Sequence, residues 1–275
     1  MIRSAMTRFT LISSAMIRRP SSTSPRRGPG LVLWLLAAVL SISADARTAS
    51  ATIYSYTAGH ADIGLANSGS PRLYLQFGGD AEATGLTNAQ LVAGQPGGIT
   101  GEWSLSSFVI VVPQSVRVPR PEGVEWNFLG TDAGDPVWIF SQQSQGGVPF
   151  LGFNTEKTSG GTGTFTLGNV TVRPPNGEVS LFEIGGFGTP DAILWSTSQA
   201  GVDAVTVPAS THVHYALAFT EPGYYELPLI GTSGGFPGQA TGTLALQVVP
   251  EPSTWVLALA GLGAAALAAR RRLNA

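Results

Sequence analysis

The chain has 275 residues and a formal net charge of −2, enough for one or two domains. It contains no cysteine, which excludes disulfides, thiolate metal sites and a cysteine nucleophile. The charge is segregated: between residues 52 and 252 sixteen acidic side chains face five basic ones, a formal −11, and the other arginines lie in the two flanks. An acidic body of this kind lacks the basic stripe that nucleic-acid affinity requires, so nucleic acid is not an expected partner.

The first element in chain order is a targeting segment. Arginine-rich polar sequence runs to Arg27, followed by the apolar run LVLWLLAAVL at residues 31–40 and two small-residue sites, Ala44-Asp45-Ala46 and Ala49-Ser50-Ala51. A positive region, a short apolar region and an Ala-x-Ala site are the three parts of a secretory signal peptide. Residues 1–51 are therefore expected to be removed, with cleavage after Ala51. The alternative, an uncleaved anchor, requires a helix that spans about 30 Å of hydrocarbon, and the run is too short.

From Ile53 onward the sequence is a series of short apolar or alternating runs separated by Gly, Pro, Asn and Ser; glycine occurs 35 times and proline 19. Strands are expected at residues 52–57, 72–77, 103–112, 136–140, 164–171, 178–184, 192–196, 204–207, 212–220, 224–230 and 241–248. Residues 85–100 and 141–147 read as long loops. No stretch of ten residues carries a capped 3.6-residue apolar period, so helices should be few. Residues 52–249 thus read as one all-β domain, an antiparallel β-sandwich with Greek-key connections, with Trp103, Trp126, Trp138, Phe153 and Trp195 available to fill its core.

Three histidines offer the main chemistry. His212-Val213-His214 lies in an expected strand, where a period of two puts both rings on one face. Gly59-His60-Ala61-Asp62 offers an imidazole and a carboxylate with the same spacing. His60, Asp62, His212 and His214 together supply four ligands of the types zinc or another divalent ion takes. Histidines at strand ends are as often simply exposed or hydrogen-bonded, and the sequence alone does not bring His60 beside His214. Gly231-Thr-Ser233-Gly-Gly235 matches a bare nucleophile-elbow pattern, but all three histidines precede Ser233 and no helix follows, so it reads as a turn. Glu122 with Glu125 and Asp132 with Asp135 read as solvated loop charges rather than a glycosidase pair. No catalytic set assembles, and the chain is not expected to be an enzyme.

Four ordered stretches carry a family resemblance: Tyr56-Thr-Ala-Gly-His-Ala-Asp-Ile-Gly64, Gly147-Val-Pro-Phe-Leu-Gly-Phe-Asn-Thr-Glu156, Gly186-Phe-Gly-Thr-Pro-Asp191 and Thr211-His-Val-His-Tyr-Ala-Leu-Ala-Phe-Thr220. Together they resemble the choice-of-anchor M, or actinobacterial surface-anchored protein, domain. The resemblance implies a surface protein similar to those associated with metal uptake, with His60, Asp62, His212 and His214 on the family's polar positions. One segment departs from it. Where the family commonly has a strand with an alternating histidine pair, this chain has Leu73-Tyr74-Leu75-Gln76-Phe77, and Tyr74 and Gln76 are weak zinc ligands.

At the far end, Val249-Pro250-Glu251-Pro252 leads into an apolar run at residues 255–269 and then Arg270-Arg271-Arg272. The prolines stop any preceding strand. The run reads as one C-terminal transmembrane helix, and the arginines hold the last residues on the cytoplasmic side. Residues 250–275 resemble the PEP-CTERM sorting signal. That resemblance implies an exosortase-type membrane protease as partner, inner-membrane anchoring before processing, and delivery to the envelope or exopolysaccharide matrix of a Gram-negative bacterium. The resulting expectation is an exported surface protein with a non-catalytic structural or binding role. The alternative is an extracytoplasmic protein that binds zinc or manganese and is linked to metal uptake.

Overall fold

A computed structural model describes residues 52–67 and 69–250. The expected signal peptide lies outside the described residues. So do Glu251, Pro252, the apolar tail and Arg270, Arg271 and Arg272. Among the described residues no helix is long and apolar enough to cross a membrane.

Short β-favouring runs broken by Gly and Pro give strands in chain order β1 (Tyr54–Asn67), β2 (Pro71–Phe77), β3 (Glu82–Ala83), β4 (Phe108–Val112), β5 (Arg117–Pro119), β6 (Pro136–Phe140), β7 (Pro149–Lys157) and β8 (Gly163–Leu167). They continue as β9 (Val179–Ile184), β10 (Pro190–Ser196), β11 (Ala204–Val207), β12 (His212–His214), β13 (Ala216–Phe219), β14 (Gly223–Ser233) and β15 (Phe236–Val248). The larger sheet runs β11-β8-β14-β15-β4-β1-β7-β12, with β2 and β3 also paired to β1; the smaller runs β10-β9-β13-β6-β5. This is the all-β sandwich the composition leads one to expect. Most ladders are antiparallel, but β1–β4, β1–β7 and β15–β4 are parallel. Each parallel pair is joined by a long crossover through other elements, which is the connection parallel pairing needs.

The core lies between the sheets. Alternation along β1, β2 and β7 sends Ala61, Ile63, Leu65, Leu73, Leu75, Phe77, Leu151 and Phe153 inward. There they join Leu181, Trp195, Leu217 and Phe219 of the smaller sheet in one cluster. Of the five aromatics expected in the core, Trp126 sits apart from that cluster, with Phe128 and Phe182 in a second one. Because inward positions alternate with outward ones, the opposite face of β1, β2 and β7 carries His60, Asp62, Gly64, Tyr74, Gln76, Phe150, Gly152 and Asn154.

Four local differences from the sequence reading matter for the site. First, β1 does not stop at residue 57 but continues to Asn67. Its first half pairs with β3 and β4 and its second half with β2 and β7. The change of partners falls at Gly59, whose φ of 84° favours glycine and where a Cβ would lie 2.2 Å from the Asp80 carbonyl oxygen. Second, Pro149 and Gly152 hide β7 from a period-two reading; Pro149 is tolerated because it opens the strand. Third, residues 212–220 form two strands, not one. The chain leaves the larger sheet after His214 and enters the smaller one at Ala216. Fourth, the expected loop at 85–100 holds a short helix, α1 (Asn88–Ala93), started by a Thr87–Gln90 capping box.

Beside the site, β2 and β7 are tied across β1 by ion pairs. Ala66 lies between Arg72 and Lys157 in register. The buried Glu102 carboxylate accepts from Arg72 Nε at 2.8 Å and Lys157 Nζ at 2.9 Å. Burial alone would raise the Glu102 pKa, but the two cations outweigh it and hold the group below its ordinary value.

Candidate metal centre

The register aligns the polar outward residues in rows across four strands. Asp62 of β1 stands opposite Gln76 of β2 on one side and Gly152 of β7 on the other, and Gly152 stands opposite His214 of β12. One row further, Tyr74, Gly64, Asn154 and His212 follow one another in the same order. His60 lies beside Phe150 in the row on the other side. Residue 152 is therefore the gap in the middle of the array. With no side chain there, Asp62 and His214 close over β7 from opposite neighbours, and a Cβ at Gly152 would fall 2.2 Å from Asp62 Oδ1 and 2.7 Å from His214 Cε1.

The three imidazoles meet above that gap. Their ring centroids are 5.0 Å apart for His60–His214, 5.7 Å for His212–His214 and 5.9 Å for His60–His212. One donor atom from each lies within 4.8 Å of the other two. Asp62 Oδ1, nearly buried, is 3.2 Å from His60 Nε2 and 4.0 Å from His214 Nε2. Donors of a tetrahedral ion at about 2.0–2.2 Å lie roughly 3.3 Å from one another, so this set stands somewhat wider than a bound ion requires.

The supporting contacts also suit a ligand set. His214 Nδ1 lies 2.9 Å from the Leu151 carbonyl oxygen, so its N–H donates there and the Nε2 lone pair is left facing Asp62. Phe150 stacks flat on His214, with centroids 3.8 Å apart, and restrains its rotation. The His60 backbone N–H donates to Asp80 Oδ1 at 3.1 Å. The donor chemistry and the Gly152 gap thus fit a divalent ion held by three neutral imidazoles and one carboxylate.

The two half-buried histidines shift in opposite directions. The hydrogen bond to Asp62 raises the His60 pKa above its ordinary value, against a smaller opposing effect of burial. Burial lowers that of His214, reinforced by the neighbouring imidazoles, although the Leu151 carbonyl and Asp62 act the other way. The His60 contribution to stability is present below the ordinary histidine pKa and is lost as pH rises through its folded value. The His214 contribution is present at high pH and is lost as pH falls, because the unfolded chain takes a proton the native ring resists. In the metal-free protein, NMR of the imidazoles should show His60 protonating before His214 as pH is lowered. The reverse order would contradict the Asp62 contact.

The structure brings together all four residues that the sequence singled out. It also adds several that sequence reasoning did not assign. Glu156, two residues beyond Asn154 on β7, has Oε1 3.8 Å from His212 Nδ1. Buried Asn154 orients it, donating from Nδ2 to Glu156 Oε2 at 3.2 Å and accepting the Glu156 N–H at 2.8 Å. Gly152, Phe150, Asn154 and Glu156 all lie in the stretch 147–156 quoted above, but only pairing with both β1 and β12 gives them a role. The other acidic pairs stay apart from the site. Asp135 accepts from the Thr131 hydroxyl and the Asp132 N–H, which closes a turn. Ser233 ends β14 at the tight turn into β15.

The fold and site together describe a β-sandwich that carries an imidazole–carboxylate cluster on the outward face of its larger sheet. The PEP-CTERM protein-sorting motif matches residues 248–272. It begins at Val248, the last residue of β15, whose neighbour Val249 still donates to the Val112 carbonyl. The motif marks the chain as an exported surface protein processed by exosortase, a membrane protein. No curated protein is significantly similar to the chain.

Proposed function

We propose that this exported protein takes up one divalent cation, zinc foremost, on His60, His212, His214 and Asp62, in a binding role without catalysis. The observation that carries the reading is the meeting of three imidazoles and a carboxylate from β1 and β12 over Gly152 of the strand between them. A nitrogen-rich set with one carboxylate favours zinc over magnesium or calcium, which prefer oxygen. The proposal also draws on the resemblance read from the four sequence stretches above, to a domain whose members are similar to proteins associated with metal uptake. Residence in the envelope or exopolysaccharide matrix of a Gram-negative bacterium belongs to the proposal as well, and rests on the sorting motif. That motif also favours a second reading, a purely structural role in the matrix.

Elemental analysis and zinc and manganese titration of the full chain, purified in detergent, decide between the two. One equivalent of zinc is expected for the wild type, and none above background for the double variant His212→Ala, His214→Ala. Metal content unaffected by that variant would refute the site and leave the structural role.

A further inference from the structure

Strand β2 supplies two polar side chains to the same face, and both carry an oxygen left unsatisfied among the described residues. Gln76 stands directly opposite Asp62, and Tyr74 opposite Gly64. The Tyr74 ring is carried across β1 at Gly64, so closely that a Cβ there would lie 2.1 Å from the ring carbon bearing the hydroxyl. Tyr74 is 2% exposed. Its Oη and Gln76 Oε1 are both shielded from solvent and have no hydrogen-bond partner among the described residues. A buried oxygen left this way is costly, and a pair of them beside a cluster of cation ligands points to a donor that arrives with the ion.

We propose that Gln76 and Tyr74 form the outer wall of the cation site, their two oxygens accepting hydrogen bonds from a water that joins the four protein ligands as the ion's fifth. This rests on the cation site proposed above. An amide oxygen only accepts, and a phenol oxygen can accept while keeping its own proton. Burial pushes the Tyr74 phenol far above its ordinary range, and nearby Glu102, Glu156 and Asp62 push the same way. Neither group can therefore take a proton from the water. The wall holds the water without activating it, as suits a capture site rather than a hydrolytic one.

The test is zinc titration and thermal unfolding of the full chain in detergent, for wild type, Tyr74→Phe and Gln76→Leu. Outer contacts of this kind typically contribute about 10–100-fold in metal affinity, and each variant should lose zinc affinity within that range. Tyr74→Phe should also raise the melting temperature of the metal-free protein, since it removes an unsatisfied buried hydroxyl without changing ring packing. A merely structural Tyr74 would lower the melting temperature, and zinc affinity would not fall independently of it. Wild-type zinc binding with unchanged affinity in both variants overturns the wall and leaves the four-ligand site standing. Absence of zinc binding by the wild type overturns both.

Discussion

Gly152→Ala should reduce zinc affinity by at least a hundredfold while the sandwich still folds. Gly152 is outside the set of positive-φ residues, so alanine is allowed by the backbone and the substitution tests space alone. The added methyl would sit 2.2 Å from Asp62 Oδ1 and 3.0 Å from His214 Nδ1. Both groups must then swing away from β7, which separates the carboxylate from the imidazoles and breaks the Leu151 contact that orients His214. Losing an outer contact alone costs about 10–100-fold in affinity, and here two ligands move at once. Titration calorimetry with zinc, alongside circular dichroism of the metal-free variant, reads the two effects separately. Wild-type affinity in a folded Gly152→Ala protein would show that the ion does not sit over this gap.

Trp195→Ala should destabilise the protein by about 3–5 kcal/mol, the range for deleting a buried aromatic side chain. Trp195 of β10 is 1% exposed and meets Phe153 edge-on, with ring centroids 5.3 Å apart at 90°. Its Nε1 donates to the Phe165 carbonyl at 3.2 Å, linking the smaller sheet to β8 of the larger. Around it, Ile63, Leu151, Phe153, Leu217 and Leu244 leave a cavity of only about 10 Å³, so the walls already touch and cannot close over a missing indole. Trp195→Phe should recover part of the loss by keeping an aromatic ring against Phe153. Denaturant unfolding of the full chain in detergent measures both. A Trp195→Ala protein within 1 kcal/mol of wild type, well short of the range expected for such a deletion, would mean that the sheets are not joined through this side chain. Because Phe153 backs the strand that carries Gly152, the same variant should also weaken zinc binding.

Much of the architecture was legible in the residues. Alternation of apolar and polar positions, with Gly and Pro between runs, identified most strands and the sandwich. The elements that were missed or misread are those on which the site depends. Residues 58–67 and 149–157 form strands in spite of Gly59, Gly64, Pro149 and Gly152, which weaken the period-two signal. Tertiary pairing overrides that local preference, because β1 and β7 each gain two neighbours and a buried face. The break between His214 and Ala216 was likewise invisible, since it reflects a change of sheet and not a change in residue pattern.

The sequence by itself determined the address and the ligand types. A sorting motif is read along the chain, so Pro250-Glu251-Pro252 and the basic cluster keep their meaning without a fold. Cysteine is absent from the sequence, and His60, Asp62, His212 and His214 were already the set to watch. Only the tertiary structure decided that these four meet, since 150 positions separate Asp62 from His212 and no local spacing brings β1 within reach of β12. That proximity follows from β7 lying between them in register, with glycine at the one position where a side chain would hold them apart.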